Sequence, residues 1–277
     1  MMKHMEERFV TDDGLNLYYQ VWQPEGKSKA IIQIVHGLAE HSSRYNNVVS
    51  FLVPNGFTIY INDLRGHGRS EGTRGYVNSF NDYSEDAKKF TQFIKEQEGN
   101  IPFFLLGHSM GVLIAVDYAK KYPDELTGVI FSGFGYPATS KVNPLLVLLS
   151  GILSKIRPKG KIKIDLAPDV SSDPKVVEAY KNDPLIFKFI TYRLGAEYLK
   201  VTKKFVESLS KIQLPILVQS GEHDKLTLDT SELFSHITTT DKQLIQYKGL
   251  YHEVYNEPEP ARKQVLTDLK EWLENHM

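Results

Sequence analysis

The chain has 277 residues, 41% of them hydrophobic and 24% charged, with 33 Lys and Arg against 34 Asp and Glu and a net charge of −1. That apolar content excludes a disordered chain and supplies a sizeable core. The balanced charge excludes the basic excess that draws nucleic acid through its phosphates. With no cysteine, disulfides, thiolate catalysis, zinc–thiolate sites and iron–sulfur clusters drop out together.

The opening MMKHMEERFVTDDG has no apolar stretch of the kind a secretory signal needs. The longest apolar run, LLVLLSGIL at 145–153, is too short to cross a bilayer as a helix. A cytoplasmic protein is the expectation. Residues 8–11 and 15–22 flank Asp12-Asp13-Gly14, and Asp-Gly between two such runs predicts a hairpin. Short apolar runs follow at 30–35, 58–61, 103–106, 129–131, 216–219 and 244–247. Runs without polar alternation suit strands buried on both faces, as in a parallel sheet. Helical patterns fall between them, at 44–53, 81–96, 111–121 and 259–274. The alternation predicts an α/β fold, a mostly parallel doubly wound sheet with an antiparallel start.

From Phe134 to Leu214 no buried-strand run occurs. This roughly 80-residue interval is too long for a loop in a compact domain. It reads as helices at 143–156, 174–180 and 184–211, the last with a break at Gly195. The predicted organisation is therefore a core of residues 1–133 and 214–277 with a helical cap, 134–213, inserted between the fifth and sixth parallel strands.

The sharpest motif is Gly107-His108-Ser109-Met110-Gly111. It follows an apolar run and opens a helical pattern, the strand–turn–helix setting of a nucleophile elbow. A serine hydroxyl needs an adjacent base, and the base needs an orienting group. On this architecture the acid and then the base follow later strands. Asp224 stands after the run 216–219 and His252 after 244–247. Glu222 is the rival carboxylate, closer to its strand, and Asp224 is preferred. Backbone N–H groups of Leu38 and Met110 are the expected oxyanion donors. His36 is expected to shape its loop and His108 to pack beneath the elbow. Nine histidines are scattered without metal-ligand spacing, and no dinucleotide or P-loop pattern occurs; no metal or cofactor is expected.

Longer segments carry a resemblance. His36-Gly37-Leu38-Ala39-Glu40-His41-Ser42-Ser43-Arg44-Tyr45, the loop Asp63-Leu64-Arg65-Gly66-His67-Gly68-Arg69-Ser70-Glu71-Gly72, and Tyr180-Lys181-Asn182-Asp183-Pro184-Leu185 look like the HG-x-x-EHS-x-RY, D-x-x-GHG-x-S-x-G and Y-x-x-DPL segments of one group. The chain resembles the α/β-hydrolases of the monoacylglycerol lipase and lysophospholipase group over residues 9–272. The resemblance implies an α/β-hydrolase fold and a serine esterase that releases a fatty acid from a single-chain lipid ester through an acyl-serine, beneath an apolar cap. Leu38-Ala39 stands where vertebrate members carry Ala-Gly, which would narrow the alcohol side. The alternative is a short-chain carboxylesterase, thioesterase or acyltransferase of the same fold.

Further candidate lipid contacts are Glu40, Arg44, Leu145, Leu149 and Tyr180. Glu40 and Arg44 either pair near the oxyanion loop or cap the following helix; Tyr180 either reaches the alcohol site or simply packs. The stretch 143–156 is apolar around more than one face, so it needs a second apolar partner. Five basic residues and no acid follow at 155–163. Apolar surface beside clustered Lys and Arg suits a membrane or micelle surface. A buried cap core or dimer contact with a solvated basic face is the other reading.

Overall fold

A computed structural model describes residues 2–137 and 151–277. In chain order its strands are β1 (Lys3–Val10), β2 (Asn16–Gln23), β3 (Ala30–Val35), β4 (Phe57–Asn62), β5 (Phe103–His108), β6 (Gly128–Ser132), β7 (Tyr136–Pro137), β8 (Lys161–Lys163), β9 (Phe189–Thr191), β10 (Ile216–Gly221), β11 (Thr227–Leu228) and β12 (Lys242–Tyr247). Eight of them form one sheet in the order β1-β2-β4-β3-β5-β6-β10-β12. β1 and β2 pair antiparallel, β2 meets β4 antiparallel, and every pairing from β4 to β12 is parallel.

Except at the half-buried edge strand β12, the apolar runs become strands because both faces of the sheet are covered. Ile31 and Val35 of β3, Phe103 and Leu105 of β5, and Val129 and Phe131 of β6 pack on one face, with α2 (Asn81–Glu98) and α3 (Met110–Lys121). The alternate residues Ile32, Ile34, Phe104, Leu106 and Ile130 pack on the other, with α1 (Asn46–Leu52) and the C-terminal helix Ala261–Asn275. Burying each such side chain contributes roughly 1.5–3 kcal/mol. Gln33 is the polar interruption in β3 and is fully buried; its amide donates to the Ala87 carbonyl and accepts from the Thr91 hydroxyl, both on α2.

β3 lies between β4 and β5, so the chain steps from β3 to β4 on one side and then crosses back past β3 to β5 on the other. Such a reversal opens a crevice at the carboxyl ends of the strands. The loop after β3 and the turn after β5 meet there.

Three expectations are corrected. The long interval falls between β6 and β10, the fourth and fifth parallel strands, because only six strands run parallel and β2 is not among them. The single helix expected at 184–211 is instead β9, a helix Tyr192–Thr202 and a short helix Phe205–Leu209. β-Branched Ile190 and Thr191 favour the strand that pairs with β8, and the Thr191 hydroxyl caps the helix by accepting from the Leu194 N–H. Gly195 lies within that helix rather than at a break. Third, the helix expected at 44–53 starts as a 3₁₀ turn, Ser42–Tyr45, and tightens again at Val53–Asn55, where Pro54 removes a backbone donor. Of the helix expected at 143–156 only 151–156 lie within the described residues, and these are helical; Leu145 and Leu149 lie outside. Among the described residues no helix is long and apolar enough to cross a membrane.

Candidate active site

Ser109 sits between β5 and α3 with φ 53° and ψ −117°. A non-glycine residue in that region is strained, and such strain is held only where surrounding structure enforces it. The two flanking glycines show the enforcement. A Cβ on Gly107 would lie 2.5 Å from the Gly111 carbonyl oxygen, and one on Gly111 would lie 2.1 Å from the Val35 oxygen. The Ser109 N–H donates to the Ser132 carbonyl of β6 at 2.9 Å. The turn thereby stands up from the sheet at the head of α3, whose N-terminal N–H groups favour negative charge.

His252 follows β12 and is 3% exposed. Its Nδ1 lies 2.7 Å from Asp224 Oδ2. Asp224 in turn accepts from the Thr227 hydroxyl at 2.6 Å on that oxygen, and from the Leu226 and Thr227 N–H groups at 2.8 and 3.0 Å on the other. Burial disfavours the Asp224 charge, but the His252 charge and these donors outweigh it and hold the carboxyl below its ordinary range. Burial likewise works against a charged His252; the Asp224 charge and hydrogen bond, with Glu253 and Glu40 beyond, outweigh it and raise the imidazole above the usual histidine value. Glu222 is exposed and takes no part. Gly133, at φ 60°, lets β6 pass under the ring: a Cβ there would lie 2.7 Å from His252 Cε1.

Ser109 and His252 line one cavity, together with Leu38, Glu40, Leu166, Val170, Tyr180, Leu226 and Glu253. No direct hydrogen bond joins Ser109 Oγ to His252 Nε2; such contacts commonly tighten only when substrate is bound. The Leu38 and Met110 N–H groups, one on each side of Ser109 in the fold, are without a hydrogen-bond partner among the described residues. A second cavity on the far side of Ser109 is apolar, lined by Val112, Leu113, Phe134, Tyr198 and Phe205. Ser109 therefore borders two small cavities, one that takes in Glu40, His252 and Glu253 among apolar walls and one lined mainly by aliphatic and aromatic side chains.

His36 shapes its loop as expected. Its Nδ1 donates to the Gly37 carbonyl and its Nε2 accepts from the Leu64 N–H, with burial pushing its pKa down to about 4. His108 lies beside the base, its ring 4.9 Å from that of His252. Asp63 and His67 both brace loops: Asp63 accepts from the Ser42 and Arg69 N–H groups, and His67 Nδ1 bonds the Arg65 carbonyl.

Glu40 and Arg44 do pair, at 3.4 Å. Arg44 is committed further: Nη2 reaches Glu253 at 2.5 Å and the guanidinium lies 4.6 Å from the centre of the Tyr180 ring. Tyr180 is 5% exposed and lines the cavity that Ser109 and His252 share. Sequence reasoning missed Glu253, the acid directly after the candidate base. It also missed the contact of His41 with Asp183, 2.9 Å, which joins the loop after β3 to the segment between β6 and β10. Among the described residues no cluster of His, Asp and Glu has the geometry of a metal site.

A family model described as serine aminopeptidase, S33 (Hydrolase_4) matches residues 26–259. The chain belongs to this family. It is 32% identical over 275 residues to a monoacylglycerol lipase of Mycolicibacterium smegmatis, covering 98% of both chains. It is 32% identical over 235 residues to a phospholipase of Bacillus subtilis, covering 83% of this chain and 90% of that one. Its structure superposes on that of Paleococcus ferrophilus monoacylglycerol lipase with a TM-score of 0.79 and 29% identity, covering all of both chains. The α/β-hydrolase fold is thus shared across the whole described chain.

Proposed function

We propose that this chain is a serine hydrolase that cleaves the ester of monoacylglycerols or lysophospholipids and releases a free fatty acid. The observation that carries this reading is the 2.7 Å His252–Asp224 contact facing the cavity that also holds the Ser109 elbow. The names of the relatives, two lipases and a phospholipase, supply the substrate class.

In this mechanism His252 Nε2 takes the Ser109 proton as Oγ attacks the ester carbonyl. Asp224 holds the Nδ1 tautomer and balances the imidazolium that forms. The Leu38 and Met110 N–H groups receive the oxyanion. His252 then protonates the departing alcohol, and a water activated by the same ring hydrolyses the acyl-serine. The acyl chain is assigned to the side of Val112, Phe134, Tyr198 and Phe205 and the alcohol to the side of Glu40 and Tyr180, and both small cavities must widen to admit them. Residues 134–213 act as the cap over both. Arg44 is spent on Glu40 and Glu253, so its proposed contact with substrate runs through Tyr180.

The deciding assay compares hydrolysis of 1-monooleoylglycerol, a lysophosphatidylcholine, a short p-nitrophenyl ester and an aminoacyl p-nitroanilide. Fatty-acid release from either lipid above the rate on the short ester supports the reading. A preference for the short ester favours the carboxylesterase alternative, and turnover of the anilide alone would favour the peptidase chemistry in the family's description.

The cap carries a surface suited to lipid. Ile156 is 76% exposed, with Ile152 at 47% and Ile162 at 42%, beside exposed Lys155, Arg157, Lys159, Lys161 and Lys163. This is an apolar wedge rimmed by cations, the pattern that docks on anionic membrane surfaces. Ile156→Asp is expected to lower co-sedimentation with phosphatidylglycerol-containing vesicles about tenfold, since it removes one exposed apolar side chain that the bilayer would bury and adds a repelled charge. Undiminished co-sedimentation would remove this face from the membrane contact.

A further inference from the structure

Beside the candidate base lies a buried group of charges that the reaction scheme leaves unused. Glu40, on the loop after β3, is 4% exposed; its Oε1 accepts from the Gly37 N–H at 2.5 Å and from the Tyr45 hydroxyl at 3.0 Å. Glu253, directly after His252, is 5% exposed, and its Oε2 accepts from Arg44 at 2.5 Å and from Asn256 at 2.9 Å. Arg44 lies between the two carboxylates. Two carboxylates against one guanidinium leave a surplus negative charge, out of water, on the chamber that His252 faces. A charge excess of this kind is costly to bury unless a cation comes to meet it. His252 is the group that becomes a cation there during the reaction.

We propose that Glu253 and Glu40, held apart by Arg44, form a second counter-charge for the His252 imidazolium, acting alongside Asp224 as positioning residues. The proposal rests on the reading of His252 as the general base.

The geometry explains why the arrangement needs all three groups. Asp224 reaches His252 through Nδ1, on one edge of the ring. The Glu40–Arg44–Glu253 group approaches through the chain neighbour of His252 and through the loop after β3. It therefore acts through space and makes no hydrogen bond to the imidazole. The same group ties that loop to the base: Glu40 fixes the Gly37 N–H, one residue before the Leu38 N–H, while Glu253 fixes the segment after His252 and its own N–H donates to the Val170 carbonyl at 2.7 Å. Burial and the Glu253 charge push Glu40 up to about 7, so the surplus is partial near neutrality and complete above it.

The other titratable groups around His252 do not supply the same charge. His108 is pushed well below the ordinary histidine value by burial and by its neighbour His252, and stays neutral. Burial and the two glutamates raise Tyr180 and Tyr45 far above neutrality, so both phenols stay protonated. Arg44 partly offsets the glutamates.

The test is the pH profile of kcat/KM for the full-length protein, which reports the free enzyme's base. In the parent, activity rises with pH as His252 loses its proton. Glu253→Gln removes one negative charge, favours the neutral ring, and is expected to move the acid limb to lower pH. The fraction of plateau activity kept at the foot of that limb then rises about threefold. The double variant Glu40→Gln/Glu253→Gln leaves Arg44 unopposed and is expected to move the limb further in the same direction, with a plateau lowered about tenfold because the imidazolium loses its second counter-charge. A structural role alone would lower the plateau without moving the limb.

Should Glu253→Gln not fold, Glu40→Gln carries the measurement at the upper end of the limb, where Glu40 holds its charge, with a smaller shift in the same direction. A direct readout uses a Ser109→Ala background, following the His252 ring by NMR titration with and without Glu253→Gln. Superimposable limbs and superimposable titrations overturn the proposal. Labelling of Ser109 by a fluorophosphonate in the Glu253 and Glu40 variants separates this outcome from a failure of the underlying reading, in which Ser109 would not be labelled in the parent either.

Discussion

Ser109→Ala is expected to cut kcat on any accepted ester by about 10⁶-fold while leaving the fold and substrate binding in place. The side chain does one thing in the scheme: it forms the covalent bond. No other hydroxyl replaces it at the top of the elbow, since its neighbours there are His108 and Met110. Alanine is smaller than serine and relieves none of the φ 53° strain, so any stability change is small compared with the loss of rate. The His252–Asp224 pair is untouched, and circular dichroism and the melting transition should match the parent. What activity remains would come from polarisation of the ester by the Leu38 and Met110 N–H groups, which outlasts loss of the nucleophile in enzymes of this chemistry.

Asp224→Asn is expected to lower kcat about 10⁴-fold, or roughly 5.5 kcal/mol of transition-state stabilisation. Asp224 accepts from His252 Nδ1–H, from the Thr227 hydroxyl and from two N–H groups. An amide of the same shape offers one acceptor and one donor. Its donor turned to Nδ1 would place the ring proton on Nε2, where it blocks proton transfer from Ser109. The loss should fall on kcat with KM nearly unchanged, because Asp224 is absent from the walls of both chambers. The surviving activity should show its acid limb at lower pH, since removing the carboxylate charge removes a main cause of the raised His252 value.

The residues on which these two results turn were legible in the sequence for a physical reason. Ser109 and Asp224 each follow a strand buried on both faces, and such strands announce themselves as unbroken apolar runs, whereas His252 follows the half-buried edge strand β12, visible only through the short run 244–247. The run at 30–35 coincides with β3 end to end, all six residues being buried. β1 was harder: it begins at Lys3, five residues before the expected start, because Lys3–Arg8 is mostly exposed and shows no alternation. Backbone pairing with β2 and the stack of His4 on Trp22 hold it, and neither leaves a periodic signature.

Glu253 was hidden for a related reason. A carboxylate is read as a surface group unless its partner is known, and that partner, Arg44, lies 209 residues away. The segment between β6 and β10 was read as all helix because its exposed Lys-Ile-Lys strand, β8, is too short to display a period of two. Its pairing with β9 depends on residues almost thirty positions further on.

At the centre of the chemistry is Ser109 as the nucleophile that His252 and Asp224 activate. Treating the protein with a fluorophosphonate and mapping the adduct by peptide mass spectrometry tests that most directly. The predicted result is one covalent adduct on Ser109, formed in step with loss of ester hydrolysis, absent in Ser109→Ala and slowed in Asp224→Asn. Hydrolysis that persists without an adduct at Ser109, or an adduct on another serine that tracks the loss of activity, would contradict it.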